Sequence, residues 1–324
     1  MDVIEDIINL DLPPSKRWGF LIDYKNETNE LLGYYLNDFE GADFIFHLIS
    51  DYKKQIISSE YLEEIEFIAS ISDFSPDQVL IANLYYDVLK FYLGCTAFAT
   101  EYNGTIYHSR NLDWHTDNNL LGKHSRIFDF QRNGKTIFKT VSWPGFIGAL
   151  SGMKPGKFSL TLNAVLSNDS PEIALPVSFL LRDILNSANS FEHAKTILET
   201  TIIASDCLIL LSGTESKEMA VIERTPKRFS TRVSQNGYII VTNDYKQLEN
   251  NITGESLLQS TSCGRYDRAE QLIAIHSPEN SEECLEILKD REVMMNITVQ
   301  QMVFNTKNGT IQLIKASGIS PKNP

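Results

Sequence analysis

Residues 94–114, GCTAFATEYNGTIYHSRNLDW, constrain the fold more than any other stretch of this chain. Asn103-Gly104 lies between two β-branched and apolar runs. Both central positions of a type I′ turn require a positive φ, which Asn and Gly tolerate best, so the sequence predicts a tight β-hairpin. A two-residue loop also fixes the register of the two strands, and this register places Cys95 opposite Leu112.

The same register brings reactive side chains to the open end of the hairpin. Gly94 lies opposite Asp113, and Arg110 becomes the diagonal, same-face neighbour of Cys95. Diagonal neighbours are about 7–8 Å apart between Cα atoms, which a long side chain can span. We therefore expect Cys95, Arg110 and Asp113 to converge there.

Three further Asn-Gly pairs lie between apolar, β-branched runs. They are Asn133-Gly134, Asn236-Gly237 and Asn308-Gly309. With the first pair they predict four hairpins and antiparallel sheets, to which segments 158–166 and 206–213 add strands. The strands and the helices come in separate runs, which is typical of a layered α+β protein.

Apolar residues at helical spacing predict two or three helices within residues 29–38, 43–57 and 60–71. The same spacing predicts helices over residues 175–188, 190–200, 264–275 and 280–290. Pro13-Pro14, by contrast, predicts an extended path before the first of them. Ser190 is the expected N-cap of the helix over 190–200.

A further helix is expected between an N-cap at Ser75 and a C-terminal stop at Gly94. Its residues 79–93 are apolar on nearly every face. Such a helix is either buried on all sides or offers an apolar surface to a lipid or a partner, and burial is the more common outcome.

Composition excludes several classes of function. The 324 residues carry a net charge of −13, which argues against nucleic acid and against attraction to anionic membranes. The four cysteines and six histidines lack disulfide-framework or metal-ligand spacing, so we expect neither a metal nor another cofactor. The first residues resemble no secretory signal, and no apolar run is long enough to span a membrane.

Two mechanisms use Cys95 as a nucleophile. A dyad with His108 is unfavourable, because the hairpin register puts His108 opposite Ala99, about 13 Å along the strand. If the Gly94–Cys95 bond were cut instead, the free α-amino group of Cys95 could act as the general base for its own thiol. Asp113 would then hold the amine and Arg110 would favour the thiolate. The structural alternative stays open, since a lone cysteine is often only a small buried apolar residue.

The motifs of this chain resemble those of the acid ceramidase and N-acylethanolamine acid amidase family, and acid ceramidase most closely. These are N-terminal-nucleophile hydrolases related to bile-salt hydrolases. The resemblance begins with Gly94-Cys95-Thr96 and HSRNLD at 108–113, and continues through INLDLPPSKRW at 8–18, residues 129–140 and 145–163, and VTNDY at 241–245.

The resemblance implies an αββα sandwich and a chain that cuts itself between Gly94 and Cys95. It implies a helical segment 1–94 and a catalytic core 95–324 after the cut. By resemblance, Cys95 is the nucleophile and Arg110 and Asp113 orient and activate it. Two more implied site residues come from later in the chain, Asn243 as the oxyanion donor and Arg265, with Arg268 as a nearby rival.

The function expected from this resemblance is hydrolysis of the amide bond of an N-acyl lipid, ceramide in particular, to a sphingoid base and a fatty acid. An N-acylethanolamine or a bile-salt-like amide is the alternative substrate. A lipid-binding protein of the same fold without catalysis is the alternative of another class. The apolar helices before Cys95 could contact a membrane. The family is lysosomal, whereas a chain without a signal would be cytoplasmic or exported by another route.

Overall fold

The computed structural model describes residues 3–39, 41, 43–89, 93–250 and 257–315. The strands are β1 (Glu5–Asn9), β2 (Leu93–Tyr102), β3 (Thr105–Trp114), β4 (Arg126–Arg132), β5 (Lys135–Ser142), β6 (Ser151–Lys154), β7 (Phe158–Asn163), β8 (Cys207–Ser212), β9 (Met219–Arg224), β10 (Phe229–Val233), β11 (Tyr238–Val241), β12 (Thr298–Asn305) and β13 (Thr310–Lys315). The α-helices are α1 (Pro14–Arg17), α2 (Lys25–Asn37), α3 (Asp43–Ile56), α4 (Ser59–Ile71), α5 (Pro76–Asn83), α6 (Tyr85–Leu89), α7 (Leu120–His124), α8 (Val177–Ser187), α9 (Phe191–Thr200), α10 (Leu257–Ile275) and α11 (Ser281–Leu288). Short 3₁₀ turns cover Gly19–Tyr24 and Asp117–Asn119.

The strands form two stacked sheets. One has eight strands in the order β1-β4-β5-β6-β7-β8-β9-β10, and the other has five in the order β11-β2-β3-β12-β13. Helices α8 and α9 pack on the larger sheet, and α10 and α11 pack on the smaller one. Strand β2 packs across the interface against β7 and β8. The result is the four-layered α+β arrangement expected for an N-terminal-nucleophile hydrolase.

The hairpin of β2 and β3 has the predicted register. Cys95 pairs with Leu112 and Gly94 with Asp113. Asn103 and Gly104 both have positive φ, at 49° and 74°, as a type I′ turn requires.

Two of the other predicted hairpins also form. Strands β4 and β5 pair across Asn133-Gly134, with one irregularity at Phe130 and Gln131. Strands β12 and β13 pair with Asn305 opposite Thr310, so their loop has four residues. Helices are found where α2, α3, α4, α8, α9, α10 and α11 were predicted, and Ser190 caps α9.

The predicted hairpin at Asn236-Gly237 is wrong. Strand β10 pairs with β9 in the larger sheet, whereas β11 pairs with β2 in the smaller one. The connection therefore passes from the edge of one sheet to the edge of the other. An Asn-Gly pair favours a reversal of the chain. Here, however, β10 adds to the free edge of β9 and β11 adds to the free edge of β2.

The N-terminal region departs from the prediction at two places. Strand β1 joins the larger sheet in parallel with β4, within sheets otherwise built from antiparallel pairs. Pro14 begins helix α1 instead of extending the chain, since proline at the first helical position loses no hydrogen bond.

The helix that starts at Ser75 is shorter than predicted. Ser75 and Gln78 form the expected capping box, but α5 ends at Asn83 and α6 follows. Gly94 lies inside β2 and does not stop a helix. The apolar stretch was predicted over residues 79–93, of which 90–92 lie outside the described residues. Residues 79–86 are all buried, so among them the buried-helix alternative holds and the proposed membrane contact finds no support. In the described part of the chain, no helix has the length and apolarity needed to cross a bilayer.

Candidate active site

Cys95 lies near the start of β2, between the two sheets, and only 1% of its surface is exposed. Its thiol is 3.7 Å from the carbonyl oxygen of Leu162, at the end of β7. The hairpin therefore presents this side chain to the facing sheet instead of to solvent.

Arg110 lies beside the thiol as the register predicts. Its Nη2 is 3.1 Å from Cys95 Sγ and also donates to the Leu162 carbonyl. Its Nη1 donates to Leu150 O at 2.8 Å and to the Ser151 hydroxyl. The glycine-rich segment around β6 and β7 thus supplies the acceptors that orient this guanidinium. These contacts fix the guanidinium against the sulfur of Cys95.

Asn243 follows strand β11 and contacts the backbone of Cys95. Its Oδ1 accepts the Cys95 N–H at 3.1 Å, and its Nδ2 donates to Ala164 O at 2.8 Å. Ser262 Oγ in turn accepts the Asn243 N–H at 2.9 Å. An amide NH₂ carries two hydrogens, and the Ala164 carbonyl takes one of them. The second can be donated to an oxyanion beside Cys95.

Arg265, from helix α10, contacts both Cys95 and Asn243. Its Nη1 donates to Cys95 O at 2.6 Å, and its Nη2 donates to Asn243 Oδ1 at 2.7 Å. Burial lowers the pKa of this guanidinium, while the nearby Asp113 opposes that shift. Arg268 points elsewhere and pairs with Asp290 at 2.7 Å. Between the two rival arginines, the structure brings only Arg265 to the cluster.

Asp113 completes the cluster from β3. Its Oδ1 accepts from the Thr298 hydroxyl, and its Oδ2 is 3.9 Å from Arg265 Nη1. Oδ2 has no hydrogen-bond partner among the described residues. Burial raises the pKa of this carboxyl, and the charge of Arg265 opposes the shift. In the uncut chain the Cys95 N–H donates to Asn243, so the role of Asp113 toward the free amine stays a prediction.

His108 is not part of this cluster. It pairs with Ala99, as the register requires, and its ring bonds Ser212 Oγ and Thr161 Oγ1, both at 2.8 Å. Burial lowers its pKa to about 3, with the charge of Arg110 acting in the same direction. The imidazole is therefore a neutral link between the two sheets.

Sequence reasoning missed the residues that hold the cluster in place. Thr298 on β12, Ser262 on α10 and Ser151 on β6 contact Asp113, Asn243 and Arg110 respectively. Single Ser and Thr residues carry no motif, and the partners of β12 and α10 are set by long-range packing. The pairing of β12 with β3 places Thr298 opposite Asp113, and only the structure shows that pairing.

A cavity of about 470 Å³ opens beside Arg265. Its wall combines apolar Met294, Met295 and Ile297 with the charged Arg291 and Glu292. Met295 N–H donates to Thr298 Oγ1 at 3.1 Å, which connects this wall to Asp113.

Among the described residues, no group of three or more His, Cys, Asp and Glu side chains is placed to hold a metal ion.

Comparisons with known proteins show the family to which the chain is similar. Residues 100–323 match the family model of acyl-coenzyme A:6-aminopenicillanic acid acyl-transferase. Acid ceramidase of Balaenoptera acutorostrata scammoni is 33% identical over 67% of this chain and 62% of that protein. The enzyme of Heterocephalus glaber is 30% identical over 75% of this chain and 70% of that protein. The chain thus spans about two thirds of the length of these curated relatives.

A solved structure confirms the predicted fold class. The Caenorhabditis elegans N-acylethanolamine-hydrolyzing acid amidase ortholog superposes with a TM-score of 0.57 at 23% identity. The match covers 65% of this chain and 93% of that one.

Proposed function

This chain belongs to the acid ceramidase family, and on that premise we propose that it is a self-processing cysteine amidase that acts on N-acyl lipids. The observation that carries the proposal is the convergence on Cys95 of three polar side chains from three separate elements. Arg110 contacts its sulfur, Asn243 its N–H and Arg265 its carbonyl oxygen. A merely structural cysteine needs none of these polar partners.

In the proposed processing step, the Cys95 thiolate attacks the carbonyl carbon of Gly94. The Gly94–Cys95 amide bond breaks, a thioester forms, and water hydrolyses it to a carboxylate on residue 94. The α-amine of Cys95 is released as the new chain terminus. Asp113, opposite Gly94 in the hairpin, is the carboxylate nearest this bond in register.

In the proposed turnover step, the free α-amine takes the thiol proton and the sulfur attacks the carbonyl carbon of the substrate amide. Asn243 Nδ2 donates to the oxyanion of the tetrahedral intermediate. The protonated amine then gives its proton to the leaving nitrogen, and the C–N bond breaks. Water finally hydrolyses the acyl-enzyme, which releases the fatty acid and restores the thiol.

Ceramide is the substrate that we favour, because the curated relatives that match the chain are named acid ceramidases. An N-acylethanolamine is the second candidate, and the name of the matching solved structure supports it. We assign part of the substrate to the cavity beside Arg265, whose volume is in the range of small-ligand sites. The lysosomal compartment implied by the resemblance stays a prediction.

The test compares wild-type protein with Cys95→Ala on ceramide and on an N-acylethanolamine of the same acyl length. We expect thiol-dependent release of fatty acid by the wild type, faster from ceramide, and none by the variant. Faster turnover of the ethanolamide would reassign the substrate. No turnover of either amide by a correctly folded wild type would support the non-catalytic alternative.

A further inference from the structure

Strand β9 carries a charge where its pattern calls for an apolar side chain. Met219 and Val221 face the smaller sheet and pack there with Ile239 and Val241. Glu223 is next on that face, and its side chain is fully buried. A buried carboxylate is strongly destabilising unless hydrogen bonds compensate, so its presence at this position points to a specific role.

Glu223 accepts four hydrogen bonds. Three come from consecutive backbone N–H groups of Lys246, Gln247 and Leu248, at 3.0, 2.9 and 2.9 Å. The fourth comes from Arg232 Nε on β10 at 3.0 Å. The carboxylate of one sheet thus binds the loop that leaves the edge strand of the other.

The same ion pair also holds the chain upstream of that loop. Arg232 Nη2 donates to Ile240 O on β11 at 2.9 Å. The pair therefore fixes residues on both sides of Asn243, three positions before it and three to five positions after it. Tyr245 adds a further link, since its hydroxyl donates to Arg224 O at 2.6 Å.

We propose that Glu223 is a positioning residue that, with Arg232, sets the place of Asn243 for oxyanion stabilisation. Asn243 has to donate to an atom whose charge develops only during attack, and such donors lose their effect when they are misplaced by fractions of an ångström. Strand β11 is a sheet edge and the chain beyond Asn243 is a loop, so the local backbone alone does not hold it. The inference rests on the proposed function for its catalytic part only.

The first test is Glu223→Gln in the full chain. The amide keeps the volume but removes the charge and places an NH₂ group against backbone donors. Removal of one oxyanion donor slows enzymes about 10²–10³-fold, so displacement of Asn243 should lower kcat by at least about tenfold with KM changed less than about twofold. Glu218→Gln is the matched control, because Glu218 likewise accepts the N–H groups of Thr214 and Glu215, at the other end of β9.

Alkylation of Cys95 by iodoacetamide, followed on its own peptide by mass spectrometry, separates positioning from general damage. That reaction forms no oxyanion, so its rate should be unchanged in Glu223→Gln while hydrolysis falls. Equal loss of both rates, or unchanged hydrolysis, would overturn the proposal.

A second variant guards against a failure to fold. Glu223→Met with Arg232→Met removes both charges, and such replacements of buried ion pairs often leave stability intact. It should show the same loss of kcat. Hydrogen exchange at the amides of residues 246–248 should accelerate in both variants, and unchanged exchange would overturn the anchoring role. Exchange needs no activity, so an inactive wild type would count against the proposed function alone.

Discussion

At Cys95, two guanidinium groups contact the same residue at different atoms. Arg110 lies against the sulfur and Arg265 against the carbonyl oxygen. The first guanidinium places positive charge beside the sulfur, and the second places it beside the backbone of the same residue. The hairpin register positions Arg110, whereas Arg265 reaches the site only because α10 packs on the smaller sheet.

Arg110→Met should lower kcat/KM by about 10–100-fold, because a hydrogen bond to a charged group contributes about 1.5–3 kcal/mol. Arg110→Lys should recover part of that loss. Steady-state hydrolysis of the N-acyl substrate measures both. Arg268→Met is the matched control, since Arg268 pairs with Asp290 away from the cluster. A control as slow as Arg110→Met would remove the special role of Arg110.

Asp113→Asn should increase stability and decrease function. Burial raises the pKa of Asp113, so the native state favours the protonated carboxyl and its contribution to stability is lost as pH rises through that pKa. At pH 7 a neutral amide should therefore raise the unfolding temperature, and the gain should vanish as pH falls toward 3.8. Cleavage and turnover should slow. A variant that is less stable at pH 7 would show that the Arg265 charge outweighs burial.

At the scale of elements, turn residues predicted hairpins and their register, but they did not always predict which strands pair. Asn103-Gly104 gave both the hairpin and the residue-by-residue register that places Arg110 and Asp113. At Asn236-Gly237 the same signal misled, because the partners of β10 and β11 lie in different sheets. Local sequence carries no information on such long-range edges. The resemblance to the family therefore identified Asn243 and Arg265 as site residues, whereas the turn and hydrophobic patterns could not.

The stability of the fold should depend on pH through His108, which is buried between the two sheets. Its native pKa of about 3 lies below the ordinary value of 6.5, so the unfolded chain binds the proton first and stability is lost as pH falls below 6.5. At pH 5 this costs about 2 kcal/mol. Chemical unfolding between pH 7 and 5 should show a smaller loss in His108→Gln than in the wild type. The exposed His193→Gln variant is the control, and equal slopes in all three proteins would exclude His108 as the source.

Over the whole molecule, residues from both sides of the proposed Gly94–Cys95 cleavage point pack into one hydrophobic core. Trp18 packs on Phe128 at 5.3 Å between ring centroids, and the Glu64 carboxylate accepts from Arg182 at 2.5 and 2.8 Å. The same carboxylate accepts from Trp18 Nε1 at 2.8 Å. Residues on both sides of position 94 thus share one core, and we expect fragments 1–94 and 95–324 to stay associated after the cut.

Glu64→Gln should weaken that association. Breaking a buried ion pair by removing one partner costs about 3–5 kcal/mol, because Arg182 is then left buried and unpaired. Size-exclusion chromatography of the cut protein in mild denaturant should release the smaller fragment from the variant first. Glu60→Gln, at a half-exposed carboxylate on the same helix, should behave like the wild type within about 1 kcal/mol. Coelution of both variants with the wild type would contradict the role of Glu64.

The central claim is that Cys95 becomes a chain terminus and acts through its own amine. Intact mass and N-terminal sequencing of the purified full chain test it most directly, with Cys95→Ala purified alongside. The wild type should give fragments 1–94 and 95–324 with a new terminus at Cys95, and the variant should stay whole and inactive. A wild-type chain that hydrolyses N-acyl lipids while it remains uncut would contradict the mechanism.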